Sequence, residues 1–297
     1  MKSPALRYII LINIGIVVLL ALFKYVLIEN AIFDNPLPGE PASLYQQFTE
    51  DTIHVDHTEF EALLDGRGPY YLAADHPKLI QYVRDNVLIP PSTLPYNLTH
   101  PETKNSSPEG QIKRALSILK NKKNGFFIEA GALTGEFWSD SLSLERFYDW
   151  TGLLVEASPT SFKELKTKNR KAWSANCCLS PKPYPIKVTF DPSYATGQIV
   201  DTDTSKVKSG QVVVQCFPLQ TLLLAINQTH VDYCSLDIQG SEMDVIKTLP
   251  LDTIDIKVFS IEHVLIIGGK PVISGYMKTQ GYTFHSTVNI DMFFVKH

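Results

Sequence analysis

Acids, glycines and one histidine stand where apolar runs stop. Phe126–Ala130 carries Glu129 and runs into Gly131, with Gly135 one helical turn on. Gly152–Glu156 ends on Glu156, Tyr233–Asp237 ends on Asp237, and Lys257–Glu262 is followed by His263. A glycine after a strand lets backbone amides approach a ligand with no Cβ in the way. An acid about 20 residues further on is placed to accept hydrogen bonds from a ribose diol, and Glu156 stands near that distance from Gly131. Asp237 is a candidate base or acceptor-orienting group. His263 is a candidate base near neutral pH, although a lone strand-end histidine is more often only hydrogen-bonded. An ordinary strand-to-helix turn would also use a glycine; the neighbouring acid favours a ligand site. Trp138, Trp150 and Trp173 read as packing residues.

These side chains need a sheet to bring them together. From Gly125 onward apolar strands and helices alternate: helix Ser139–Tyr148, helix Ser161–Asn169, strand Ala172–Leu179, extended pieces Ile186–Phe190 and Val212–Phe217, helix Leu219–Asn227, helix Glu242–Leu249 and helix Val272–Gln280. Tyr282–Ser286 and Met292–Val295 close as a hairpin. Repeated β-α units with a terminal hairpin predict an α/β fold, a Rossmann-like doubly wound sheet, mostly parallel with one antiparallel strand. Upstream, Asp75–Leu88 and Gln111–Lys120 carry apolar residues at helical spacing, and Ser92–Pro108 is a polar loop.

Tyr8–Ile28 is an apolar run with one charge, Lys24, near its end. A bilayer core needs roughly 20 such residues. Lys2 and Arg7 precede the run and Glu29, Asp34 and Glu40 follow, which predicts a cytoplasmic tail (1–7), a transmembrane signal-anchor (8–28) and a lumenal or extracellular remainder. A cleaved signal peptide is the alternative, but the residues after Ile28 form a poor cleavage site. Residues 29–108 then form a lumenal linker with short helices, and 109–297 the folded domain. Sequons at Asn97, Asn105 and Asn227 fit that topology. The chain of 297 residues is 44% hydrophobic with a net charge of −4 and no basic run, which excludes nucleic acid as a partner. The cysteines are Cys177, Cys178, Cys216 and Cys234, with no C-x-x-C pair, so no metal site is expected. In an oxidising lumen one of Cys177 or Cys178 can bond Cys216, with Cys234 a buried hydrophobe; four free thiols are an equal alternative.

IEAGALTGE, LLVEASP and YCSLDIQGSEMDVI resemble the three core motifs of the FkbM methyltransferase family, over the last 170 residues or so. HPKLIQYVRDNVLIPPSTLPYNLT, NGFFIEAGA and NRKAWSANCCLS are similar to Star-like proteins, membrane proteins with one anchor before an FkbM-type domain. The resemblance implies S-adenosylmethionine (SAM) as cofactor, with the methionine moiety at Gly131 and Gly135, its amine drawn by Glu129, where the family usually has aspartate, and the ribose held by Glu156. It implies an O-methyltransferase acting on a lumenal hydroxyl such as that of a glycan. The Star-like likeness implies instead a non-catalytic factor that moves membrane-protein cargo by vesicles from endoplasmic reticulum to Golgi and plasma membrane. The family's third motif reads Asp-x-Glu-Gly-x-Glu; here Gln239 replaces the central acid, which removes one proton acceptor and leaves Asp237 and Glu242.

Overall fold

The computed structural model describes residues 57–66, 71–107 and 109–297, all within one compact unit. The candidate anchor and the tail before it lie outside these residues. Among the described residues no helix is long and apolar enough to cross a membrane.

The main sheet forms because its central strands are apolar on both faces, as parallel strands between two helical layers must be. Its strands are β1 (Leu88–Ile89), β2 (Phe126–Ala130), β3 (Thr151–Val155), β4 (Trp173–Ala175), β9 (His230–Leu236), β10 (Asp255–Glu262), β11 (Tyr282–Val288) and β12 (Asp291–Lys296). They lie in the order β1-β4-β3-β2-β9-β10-β12-β11. The five from β4 to β10 are parallel, and β12 runs against both β10 and β11. The expected single antiparallel strand is therefore β12. A second, β1, pairs antiparallel with β4 at the far edge; two residues before Pro90-Pro91 carry no periodicity that would reveal it. Ile128, Leu153, Cys234 and Phe259 face one core, and Phe127, Leu154, Tyr233 and Val258 face the other.

A second sheet corrects the expected strand Ala172–Leu179. That stretch breaks after β4, and β5 (Cys178–Leu179) leaves to join β6 (Ile186–Asp191), β7 (Gln198–Asp201) and β8 (Val212–Phe217) in the order β5-β8-β6-β7. A disulfide between Cys178 and Cys216 ties β5 to β8 at a registered pair, while Cys177 and Cys234 are buried free thiols.

The helices cover the two faces. Helix α1 (His57–Leu64) precedes α2 (Pro77–Asn86), which starts where the His76 ring accepts the Lys78 N–H and Pro77 supplies a preset φ. Leu79 and Val83, one turn apart, bury into the core beside α6 (Leu219–Ala225), and Arg84 donates to the Ala225 carbonyl at 2.7 Å. Helix α3 (Gln111–Ile118) buries Ile112, Ala115 and Leu116 on the opposite face. After β1 the chain straps against α4 (Leu142–Tyr148) and α5 (Pro159–Thr167), where Arg146 donates to the Pro101 and Thr103 carbonyls and Asn97 donates to the Thr167 carbonyl. Glu136 fixes the strap by accepting the N–H groups of Thr99 and His100 at 2.8 and 2.6 Å. Helices α7 (Glu242–Lys247) and α8 (Gly269–Thr279) complete the layers.

Candidate active site

Strand register sets the site. Ala130 of β2 pairs with Val155 of β3 and with Leu236 of β9. The next residue on each strand is Gly131, Glu156 or Asp237, so these three stand level at the carboxyl edge. All three line one cleft. It opens where the strand order reverses between β2 and β9, the usual ligand position in such sheets. The space between its walls, counted to the open mouth, is about 830 Å³.

Gly131 is required by two constraints. Its φ of 87° lies in the left-handed region, and a Cβ there would stand 2.0 Å from the Asp237 carbonyl oxygen. Leu133 also has a positive φ, 47°, where glycine would be easier. Its N–H donates to Glu156 Oε2 at 2.7 Å, while Glu156 Oε1 accepts the Ser158 N–H at 2.7 Å. Glu156 thus holds both ends of the cleft floor, with further lone pairs toward the opening. Burial raises its carboxyl to about 7, against the two amide bonds that pull it down. Apolar walls come from Leu133, Val155, Leu179, Phe190 and Ile199. The last two belong to the β6–β7 hairpin, a wall the sequence did not announce.

Asp237 sits beside a second acid. Gln239 Nε2 donates to Asp237 Oδ1 at 2.6 Å and to Glu262 Oε2 at 2.9 Å. Burial and then the charge of the neighbouring Asp237 push Glu262 up to about 9, so Glu262 is protonated at neutral pH. A carboxylate at 239 would put three acids in contact, and the amide avoids that. Glu262 therefore supplies from β10 an ionisable partner that the third motif lacks. The sequence signal for it was present: a strand-end acid on the strand next to β9. Glu242 does not reach the cleft. It accepts the N–H groups of Ile238 and Gly240 and so holds its own turn.

The other sequence candidates stand elsewhere. Glu129 lies one residue short of the strand tip and is buried, with its oxygens taken by Ser139 Oγ at 2.9 Å, Asp140 N at 2.7 Å and Ser141 Oγ. Burial raises its pKa, and the Arg170 charge opposes that. It anchors the entry to α4 and is not on the cleft wall. Gly135, with φ 72°, makes room for helix α5, since a Cβ would meet Leu165 Cγ at 2.9 Å. His263 also lies off the cleft wall; its Nε2 is buried with no hydrogen-bond partner among the described residues, and burial lowers its pKa. Of the three tryptophans, Trp150 packs as expected. Trp138 does not: it is 53% exposed, lines the cleft and stacks on Phe137. Among the described residues no group of acids, histidines or cysteines is arranged to hold a metal ion.

No curated protein matches the chain. A solved structure described as the methyltransferase FkbM from Methylobacillus flagellatus KT is similar at 12% identity with a TM-score of 0.41, over 58% of this chain and 43% of that one. At that score the likeness adds nothing to the site. The Methyltransferase FkbM domain family matches residues 129–288, more than half of the chain, from the end of β2 through the cleft and the hairpin wall. By its motifs and by that match, the chain belongs to the FkbM methyltransferase family.

Proposed function

We propose that the cleft binds SAM and that the protein is a SAM-dependent O-methyltransferase. The observation that carries this reading is the level placement of Gly131, Glu156 and Asp237 at the switch point of the sheet. Family membership supports it in kind. The residues fit the group: Gly131 lets the ends of β2 and β9 approach closely at the base of the cleft, Glu156 offers lone pairs to a ribose diol, and the apolar walls suit an adenine. The cleft wall includes acids and no lysine or arginine, which suits a ligand with a sulfonium and an ammonium. When bound, SAM supplies a methyl group on a positively charged sulfur. The chain's own task is then alignment and exclusion of water. Asp237 takes the proton of the acceptor hydroxyl, and the Gln239 amide with protonated Glu262 fixes its orientation.

The topology reading completes the proposal: a single-pass type II membrane protein of the endoplasmic reticulum and Golgi, or of the plasma membrane, with this domain on the lumenal or extracellular side. Asn97, Asn105 and Asn227 are all exposed, which supports glycosylation there. A second reading keeps the fold as a Star-like cargo platform without transfer, favoured by Gln239 in place of an acid. Incubation of the full chain and its Asp237→Asn variant with methyl-labelled SAM and secretory-pathway membranes separates the two. Label transfer that falls at least about 100-fold in the variant supports the enzyme. Equal background in both supports the platform.

A further inference from the structure

Large apolar side chains crowd the mouth of the cleft. Phe137 and Trp138 are 46% and 53% exposed on the loop after β2, and Tyr194 is exposed between the wall residues Ser193 and Ala195. On the loop after β10, Val264 and Leu265 are exposed and Ile267 is 89% exposed. Both groups flank one turn. Trp138 shares the cleft wall with Gln239 and Ser241, and a Cβ on Gly240 would meet Leu265 Cβ at 3.4 Å. Trp138 has a φ of 56°, a conformation a bulky side chain rarely takes. Strain and exposure at one tryptophan are costs that a watery rim does not explain.

We propose that this rim docks on the surface of a neutral or zwitterionic bilayer, so that the cleft opens at the headgroup level and its acceptor hydroxyl belongs to a membrane-resident amphiphile. The docking rests on the topology reading above and not on SAM; the acceptor class it implies rests on the transferase reading. The apolar run Tyr8–Ile28 brings a bilayer to the same chain, and residues 29–56, fully extended, would span on the order of 90 Å, enough to let the rim reach it. Trp and Tyr, with an apolar body and a polar tip, suit the water–lipid boundary. Charge favours a neutral over an anionic surface: the cleft wall carries Asp237 and Glu156 and no lysine or arginine.

The chain's three tryptophans are Trp138, Trp150 and Trp173, none of them in the apolar run, so tryptophan emission reports on the domain alone. The full chain, reconstituted in vesicles of brominated phosphatidylcholine, should lose the emission of Trp138. Trp138→Phe should abolish the bromine-dependent loss, and the double variant Val264→Asp, Ile267→Asp, at exposed positions that the fold does not need, should restore Trp138 emission. Emission that acrylamide quenches and bromine does not would place the rim in water and overturn the proposal. Protection from both quenchers would mean that a protein partner or a second copy covers the rim, which also overturns it. Calorimetric binding of SAM is unaffected by either failure, so the two readings fail separately.

Discussion

Glu129 and Glu156 are both acids near the ends of neighbouring parallel strands, yet they do different work. Glu156 is one residue past its last paired position and reaches the cleft; Glu129 is one short of it and points into the α4 entry. Glu156→Gln turns one carboxylate oxygen into an NH₂ that must face an N–H of Leu133 or Ser158. The expected result is a roughly 10- to 100-fold loss of SAM affinity by calorimetry, from one lost charged hydrogen bond. Glu129→Gln should leave such binding within a few-fold and instead lower unfolding stability by on the order of 2–4 kcal/mol, read by denaturant titration. This division was not legible in sequence. Which acids end strands is written in the apolar runs, but a shift of one residue in strand end decides cleft or core. The Asp237–Glu262 pair was legible only in part: Glu262 stood out as a strand-end acid, but its meeting with Asp237 depends on β9 and β10 lying side by side in the register Ser260–Ser235 and Ile261–Leu236.

Elements carry the next distinction. The parallel strands were readable because each is apolar on both faces, and the expected β2, Phe126–Ala130, has the same limits as the observed strand. The small sheet was not. Its strands β6 and β8 match the expected pieces Ile186–Phe190 and Val212–Phe217, but their joining into a sheet was hidden, because β5 has two residues and its pairing with β8 crosses 38 residues of sequence. The spacing of cysteines left the bridge open; the sheet decides it, by placing Cys178 opposite Cys216 while Cys177 stays buried as a thiol pushed up to about 12 by burial. Because β5, β6 and β7 furnish one wall of the cleft, the bridge braces the site. Cys216→Ser should cost about 2–4 kcal/mol of stability. It should also weaken SAM binding even at temperatures where the protein stays folded, and both effects should match those of mild reduction of the wild type. Unchanged binding in the folded variant would show that the wall stands without the bridge.

Across the whole molecule, the carboxyl edge of the sheet gathers acids whose pKa values burial raises. Asp291 is raised to about 6, Glu156 and Glu242 to about 7, and Glu262 to about 9, burial being the first cause in each case. Each folded value lies above the unfolded one of about 4. Their stabilising contribution is therefore complete below that value and is lost as pH rises through the folded pKa values. The melting temperature should fall between pH 5 and pH 9.5, by at least about 5 °C, and Glu262→Gln should flatten the part of the fall above pH 8. A curve that rises over this range would contradict the burial of these acids. A cationic ligand at the same edge should offset the loss, which joins stability to function. The most direct measurement of the central claim is a calorimetric titration of the purified full chain with SAM, beside its Gly131→Val variant. The account predicts saturable binding to the wild type and none to a variant that still melts cooperatively, because its side chain collides with the Asp237 carbonyl and parts the strand ends that frame the cleft. Absence of heat with the wild type at millimolar SAM, or equal binding by both proteins, would contradict it.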